Sequence, residues 1–415
     1  MADFHQNGNV ATLHNLRTRD AASLTHELLT FSETRKLTLI LPSLYSELEG
    51  PALPRILDEL STVPYIHRVV LGLDRADGDQ YAHARAFFSR LPQDHAASWN
   101  DSPRMSALSE RLHQHGLSAG ELGKGRNVWF CLGYTMACRD SAVVATHDCD
   151  ILTYNKSMLA ALTYPVMNPN FPYQVSKGYY PRIGENKMNG RVSRLLVSPI
   201  LIALKRVIGD RDYLDYLRSF RYPLSGEFAM RTMILPDLRI PSDWGLEIGV
   251  LSEAWRNLAP KSVCQVEISD AYDHKHQDLS AEDKSTGLSR MSIDICKAIF
   301  RKLAADGTVF SEEIFRSLKA TYYRSALDLL ECYHNDARMN GLIIDRHLEE
   351  QTLELFASNI MEAGQVFLEN PAETPCIPTW SRGLAADPQL MTDMLNAVSA
   401  DMDQFAPKLE KAAGL

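Results

Sequence analysis

The stretch Ala142-Val143-Val144-Ala145-Thr146-His147-Asp148-Cys149-Asp150 runs from apolar, β-branched residues into two carboxylates. Such a run reads as a buried strand that delivers both acids at its carboxyl end. Ligands of open α/β sheets bind at that edge. Hard carboxylate oxygens there suit Mg2+ or Mn2+, and the cation in turn suits a diphosphate. A solvated acidic turn is the plain alternative.

Other residues could do related chemistry. Lys124 stands between Gly123 and Gly125. Flanking glycines would let backbone approach a ligand and leave the ammonium free for a phosphate or a base edge. The spacing is not that of a Walker A loop, and a helix-initiating loop with a surface lysine would look the same. Asp74 ends a second apolar run. Its carboxylate could accept from a base or a ribose hydroxyl, or it could shape a turn. Glu47 could bind ribose or favour the first turn of a helix through its dipole. His274 and His276 follow a strand, two residues apart. One of them could complete an Asp-plus-His metal site, or both could be solvated. Glu247 lies in Trp244-Gly245-Leu246-Glu247-Ile248-Gly249. A carboxylate among apolar residues and glycines is costly unless it binds something. A substrate hydroxyl would serve, and so would a helix start. Residues 176–221 hold ten Lys and Arg against four Asp and Glu, a local +6 in a chain of net charge −9. Within them Arg191 follows Asn189-Gly190 at a helix start, placed to grip an anion.

The elements that must position these residues alternate in the first 150 positions. Lys36–Leu41 and His67–Leu73 read as strands, and Leu53–Leu60 as the helix joining them. Together they form a βαβ unit. Tyr81–Leu91 and Met105–Gly116 read as helices with a loop between, and an apolar helix runs from Gly123 through Cys138. Residues 1–35 look peripheral, with one short helix near Ala21–Phe31. After position 150 the pattern changes. Tyr173–Lys177 is extended; Val192–Ile208 and Tyr213–Phe220 are helical. Ser225–Ala229 opens another helix, as does Trp244–Gly249, and Val263–Ile268 is a strand. From Met291 the chain is mostly helical, with a Pro-rich break at Pro371–Arg382 before a last helix over Pro388–Lys411.

Composition bounds the function. The chain has 415 residues, 45% hydrophobic and 23% charged, as in a soluble globular enzyme. The negative net charge argues against a general nucleic-acid binder. No stretch has the length and apolarity of a membrane span, and the N-terminus lacks the marks of a signal peptide. The seven cysteines are scattered, without a Cys-X-X-Cys pair. They read as reduced thiols of a cytoplasmic protein.

Taken in order, Pro42-Ser43-Leu44-X-X-Glu47, the strand-end Asp74, Gly123-Lys124-Gly125, Asp148-X-Asp150, Gly190-Arg191-Val192, Gly226-Glu227, Gly245-X-Glu247-Ile248-Gly249 and His274 resemble the glucosyl-3-phosphoglycerate synthases. These are retaining GT-A glycosyltransferases related to mannosyl-3-phosphoglycerate and mannosylglycerate synthases. The resemblance covers about residues 36–305. It implies an α/β fold: a GT-A, Rossmann-like mixed sheet flanked by helices, over residues 36–285, with the donor half reaching to about 150. A mainly helical region, 286–415, would follow. It also implies a UDP-sugar donor, a small anionic acceptor, Mg2+ or Mn2+, and a homodimer. Pro42, Leu44, Glu47 and Asp74 would hold the uridine, with Lys124 at the nucleotide end of the donor. Asp150 and His274 would bind the metal. Asp148 would lie close to the sugar or ribose, and Glu247 would hold the sugar's hydroxyls. Gly190, Arg191, Val192 and Ser193 would cradle the acceptor phosphate, with His276 nearby. Here Asp148-Cys149-Asp150 stands where the family has Asp-Ser-Asp, Trp244 where tyrosine is common, and Lys275-His276-Gln277 where Arg-Asn-Arg is usual.

The implied reaction moves glucose from UDP-glucose to the 2-hydroxyl of 3-phosphoglycerate. GDP-mannose as donor, or unphosphorylated glycerate as acceptor, is the alternative within the class. A sugar nucleotidyltransferase would want a glycine- and basic-rich loop at Pro42–Glu47. A non-catalytic nucleotide-sugar-binding protein would have no need of Asp148, Asp150 and His274 together.

Overall fold

Leu37–Leu41 is wholly buried, as its apolar run demands, and the strand it begins continues to Leu44. In this computed structural model residues 6, 8–16, 18–274, 286–371 and 376–406 are described. Their strands are β1 (Ala11–Leu13), β2 (Leu37–Leu44), β3 (Ile66–Asp74), β4 (Asp94–Trp99), β5 (Val143–Thr146), β6 (Val175–Tyr179), β7 (Ile183–Gly184), β8 (Lys187–Met188), β9 (Phe228–Arg231) and β10 (Val263–Glu267). The chain divides into two compact units. The first comprises Leu16–Ser176, Glu227–Ser242 and Ile377–Leu415; the second comprises Met1–Asn15, Lys177–Gly226 and Asp243–Cys376.

In the first unit the strand order is β9-β5-β2-β3-β4. β5, β2, β3 and β4 run parallel, while β9 is antiparallel to β5, so the sheet is mixed as expected. Two elements differ from the sequence expectation. Residues 94–99, expected as a loop, form β4. Phe228–Arg231, expected to start a helix, forms β9. Its four residues are too few to carry a period, and pairing with Val143–Thr146 decides the matter. Pro42 is tolerated inside β2 because β5 pairs with β2 only as far as Ile40. The missing N–H of Pro42 therefore breaks no ladder bond.

The Lys124–Cys138 helix is buried on almost every side. It packs on β3 where Gly72 leaves room: a Cβ there would lie 1.8 Å from Asn127 Oδ1. On its other side Trp129 stacks on Trp380, centroids 3.8 Å apart and planes 13° from parallel. Such a pair adds about 0.5–1.5 kcal/mol beyond area burial. The Leu390–Gln404 helix and the turn before it are tied down by ion pairs of Arg104 with Asp401 and of Arg111 with Asp387 and Asp393. The C-terminal segment thus braces the helix that begins at Lys124.

In the second unit β1 pairs in parallel with β10, and β6 lies on the other side of β10. Long helices Gly287–Ala305, Glu312–Met339 and Arg346–Glu369 pack together. The helix expected over 192–208 has a more specific form. Val192–Val197 is a π-helical turn, and Ser198–Ile208 continues as α-helix. Pro199 lies in the first turn of that α-helix. It cannot donate to the Leu195 carbonyl, which accepts instead from the Tyr322 hydroxyl at 2.6 Å. The Ser198 hydroxyl donates to the Ser193 carbonyl at 3.0 Å. No helix among the described residues is long and apolar enough to cross a membrane.

Candidate active site

The register of the first unit brings the predicted nucleoside residues to one edge. Pro42 lies beside Gly72, and Leu44 beside Asp74, at the carboxyl ends of β2 and β3. Glu47 follows at once in a single 3-10 turn, Tyr45–Glu49. Asp74 is buried, and Asn100 Nδ2 donates to its Oδ1 at 2.7 Å. Burial pushes the Asp74 carboxyl up to about 6, opposed by the Asn100 hydrogen bond and raised further by Asp101. It is therefore mostly ionised at neutral pH and able to accept hydrogen bonds.

Beyond β5, Asp148 Oδ1 pairs with Lys124 Nζ at 2.7 Å. The sequence left Gly123-Lys124-Gly125 open between a ligand-facing ammonium and a helix-initiating loop, and a helix does begin at Lys124. A Cβ on Gly125 would lie 1.9 Å from the Pro241 carbonyl oxygen, and one on Gly123 3.0 Å from that of Ser242. The glycines admit the Pro241–Ser242 backbone, and the ion pair with Asp148 holds Lys124 beside the acids of this edge.

Burial pushes the Asp150 carboxyl up to about 7, and Asp148, Glu47 and Glu227 push it the same way against the opposing charge of Lys124. Crowded carboxylate oxygens of this kind fit a hard divalent cation. Among the described residues no three His, Cys, Asp or Glu side chains form a metal cage by themselves. Mg2+ commonly takes one or two carboxylates and fills its shell with substrate phosphate and water.

The raised value has a thermodynamic consequence. Between about pH 4 and pH 7 the folded chain holds a proton on Asp150 that the unfolded chain has lost. Its contribution to stability is therefore lost as pH rises through that window. Metal-free Asp150→Asn is expected to melt above wild type at about pH 8, and the gap should close towards about pH 5. Mn2+ should raise the melting temperature of wild type more at the higher pH and leave the variant unmoved. Scanning calorimetry with and without Mn2+ measures both. A gap independent of pH would rule out the assigned cause.

The second unit holds the remaining residues. Gly190 has φ +76°, the left-handed region that favours glycine. Arg191 then opens the π-helical turn, with Val192 and Ser193 both buried. Glu247 is buried in the first turn of the Leu246–Asn257 helix. The turn before it is held by Asp243, whose Oδ1 accepts the Gly245 N–H at 2.8 Å. Burial, with Asp294 close by, pushes Asp243 up to about 6. His274 is half-buried, its ring edge-on to Tyr272 at 5.6 Å. His276 lies outside the described residues.

Much of the basic segment is spent internally. Arg194 forms a two-pronged contact with Glu349, at 2.5 and 3.4 Å. Lys205 pairs with Asp210 and Asp215. Lys177 is buried, with Nζ donating to the Ser225 carbonyl.

Sequence reasoning missed two supporting residues and gave a third no role. Asn100 was invisible because β4 read as loop. Asn127, which donates to the Gly72 carbonyl at 2.8 Å, looked like an ordinary helical residue. Glu227 is fully buried and raises Asp150. In sequence it stood only as the second residue of Gly226-Glu227, with no function attached.

No family model matches the chain. It is 42% identical over 401 residues to a glucosyl-3-phosphoglycerate synthase of Persephonella marina, across 97% of this chain and 99% of that protein. It is 36% identical over 411 residues to the protein of that name from Methanococcoides burtonii, across 98% and 100%. Among solved structures it is similar to glucosyl-3-phosphoglycerate synthase from Mycobacterium tuberculosis in complex with Mn2+, UDP-glucose and phosphoglyceric acid. That likeness has a TM-score of 0.53 at 19% identity and covers 71% of this chain and 88% of that one. At that identity it speaks to the fold.

Proposed function

Because the chain belongs to the glucosyl-3-phosphoglycerate synthase family, we propose that it transfers glucose from UDP-glucose to the 2-hydroxyl of 3-phosphoglycerate, with the anomeric configuration retained. It is a metal-dependent glycosyltransferase of GT-A fold. The observation that carries the chemistry is the gathering of Glu47, Asp148, Asp150 and Glu227 against Lys124, near the carboxyl edge that ends in Asp74.

Each residue then has a role that its chemistry allows. Asp74, Glu47, Pro42 and Leu44 hold the nucleoside, the two carboxylates as acceptors. Lys124 and Asp148 meet the donor near its phosphate and sugar. Asp150 and His274 hold Mg2+ or Mn2+, which supplies Lewis acidity to the leaving diphosphate when bound. Glu247 accepts from the sugar's hydroxyls. Gly190, Arg191, Val192 and Ser193 cradle the acceptor phosphate, and His276 is assigned to the same acceptor. The bond from glucose C1 to phosphate oxygen breaks as the bond from C1 to the acceptor oxygen forms. The acceptor's proton passes to the departing phosphate on the same face. No side chain needs to act as a covalent nucleophile, so catalysis is positioning and electrostatics. Donor recognition falls to residues up to about 150 and acceptor recognition mainly to those after. The chain works in the cytoplasm as a homodimer; all seven cysteines are free thiols, which suits a reducing compartment.

Incubation with UDP-glucose, 3-phosphoglycerate and Mg2+, followed by mass measurement of the product, tests the whole assignment. The expected product is 3-phosphoglycerate plus one hexosyl unit. Equal turnover of GDP-mannose, or of glycerate, overturns the donor or the acceptor. Asp74→Ala is expected to weaken UDP binding roughly ten- to a hundredfold, the worth of a hydrogen bond to a charged group. Calorimetry with UDP measures this, and unchanged affinity would remove Asp74 from the donor site. Wild-type affinity should itself weaken as the pH falls below about 6, where Asp74 gains a proton.

A further inference from the structure

We propose that Arg182 is a second acceptor-binding cation, which takes the acceptor's carboxylate while Arg191 takes its phosphate. The proposal rests on the acceptor assigned above. Arg182 lies between β6 and β7, and its carbonyl accepts the Asn189 N–H at 2.7 Å. Its Cβ and Cγ each lie 3.2 Å from where a Cβ on Gly190 would stand. The residue is thus fastened along the turn that presents Arg191.

The head of Arg182 has unused capacity. Its Nη1 donates to the Tyr222 hydroxyl at 3.0 Å. Its guanidinium carbon lies over the Tyr272 ring, 5.5 Å from the centroid. Tyr272 stacks on Tyr180, centroids 3.7 Å apart, and meets His274 edge-on. No carboxylate pairs with Arg182 among the described residues, and its buried Nε has no acceptor. Arg194, in the same stretch, shows the contrast: a structural arginine here receives its own glutamate. Burying a guanidinium among three tyrosines without an anion is costly. The cost makes sense where a ligand brings the anion.

The chemistry of the acceptor supplies one. 3-Phosphoglycerate carries a phosphate at one end and a carboxylate at the other, and the reacting hydroxyl is on the carbon next to the carboxylate. A planar guanidinium fork matches a carboxylate in two-pronged fashion. Holding both ends fixes the hydroxyl between them. Arg182 is then the residue that distinguishes a phosphoglycerate from a phosphate ester without an acid group.

The test uses the full chain with UDP and Mn2+ present, titrated calorimetrically with 3-phosphoglycerate and with glycerol 3-phosphate, which has the phosphate but no carboxylate. Wild type should bind 3-phosphoglycerate more tightly. Arg182→Met keeps the aliphatic stem against Gly190 and removes the fork. It should weaken 3-phosphoglycerate roughly ten- to a hundredfold and leave glycerol 3-phosphate and UDP unchanged. Arg182→Lys should recover part of the loss. Equal weakening of both phosphate compounds, or an unchanged affinity for 3-phosphoglycerate in the Met variant, overturns the role of Arg182 alone. A wild type that binds no 3-phosphoglycerate overturns the acceptor assignment, and this proposal with it.

Discussion

Asp150→Ala is expected to abolish turnover that depends on a divalent cation, lowering kcat/KM about a thousandfold or more. A Lewis acid at a departing diphosphate contributes several kcal/mol of charge stabilisation, and every 1.36 kcal/mol is about tenfold in rate. The fold should survive. Asp150 is a carboxylate held up near 7 by burial and by the acids around it, so its removal relieves repulsion in the metal-free chain. A titration of rate against Mg2+ and Mn2+, with a thermal melt of the same samples, separates the two effects. Full activity of the variant, or of wild type in EDTA, would remove the cation from the mechanism. Loss of the melting transition would mean that Asp150 is structural.

Arg191→Ala is expected to raise the acceptor KM roughly ten- to a hundredfold and leave the donor KM alone. A charge-assisted hydrogen bond is worth about 1.5–3 kcal/mol. Arg191 follows a left-handed glycine and opens a helical turn, where backbone N–H groups and the helix dipole also favour an anion. The turn has other fastenings that Arg191→Ala leaves in place. It is held by the Tyr322 hydroxyl on the Leu195 carbonyl and by Arg194 on Glu349. Steady-state kinetics with each substrate varied in turn decide the point. A defect confined to UDP-glucose, or no defect, would leave the phosphate cradle without its cation. Wild-type use of glycerate as well as 3-phosphoglycerate would remove the cradle altogether.

The two variants also probe different compact units, since Asp150 and Arg191 belong to different ones. Lys124 and Arg182 show how unlike the two cases are. Lys124 was conspicuous in sequence because glycines flank it, yet those glycines serve packing against Pro241 and Ser242. Arg182 was one basic residue among ten. Its distinction is the lack of an acidic partner among the described residues, which appears only when its neighbours do.

The sequence by itself determined the strands and helices between Lys36 and residue 150, β4 excepted, and the carboxyl-end placement of Asp74, Asp148 and Asp150. These follow from short-range pattern: an apolar run long enough to be a strand, cut off by an acid, has few other conformations available. The Leu246–Asn257 and Lys124–Cys138 helices were legible for the same reason. Tertiary structure decided the rest. β4 and β9 are strands because a neighbour pairs with them, a long-range fact that no window of sequence contains. The Leu195 carbonyl, which Pro199 cannot serve, is satisfied by a tyrosine more than a hundred positions away. The charge state of Asp150 depends on acids from three separate stretches, at 47, 148 and 227. Coulomb energy follows distance in space, and the fold alone sets that distance.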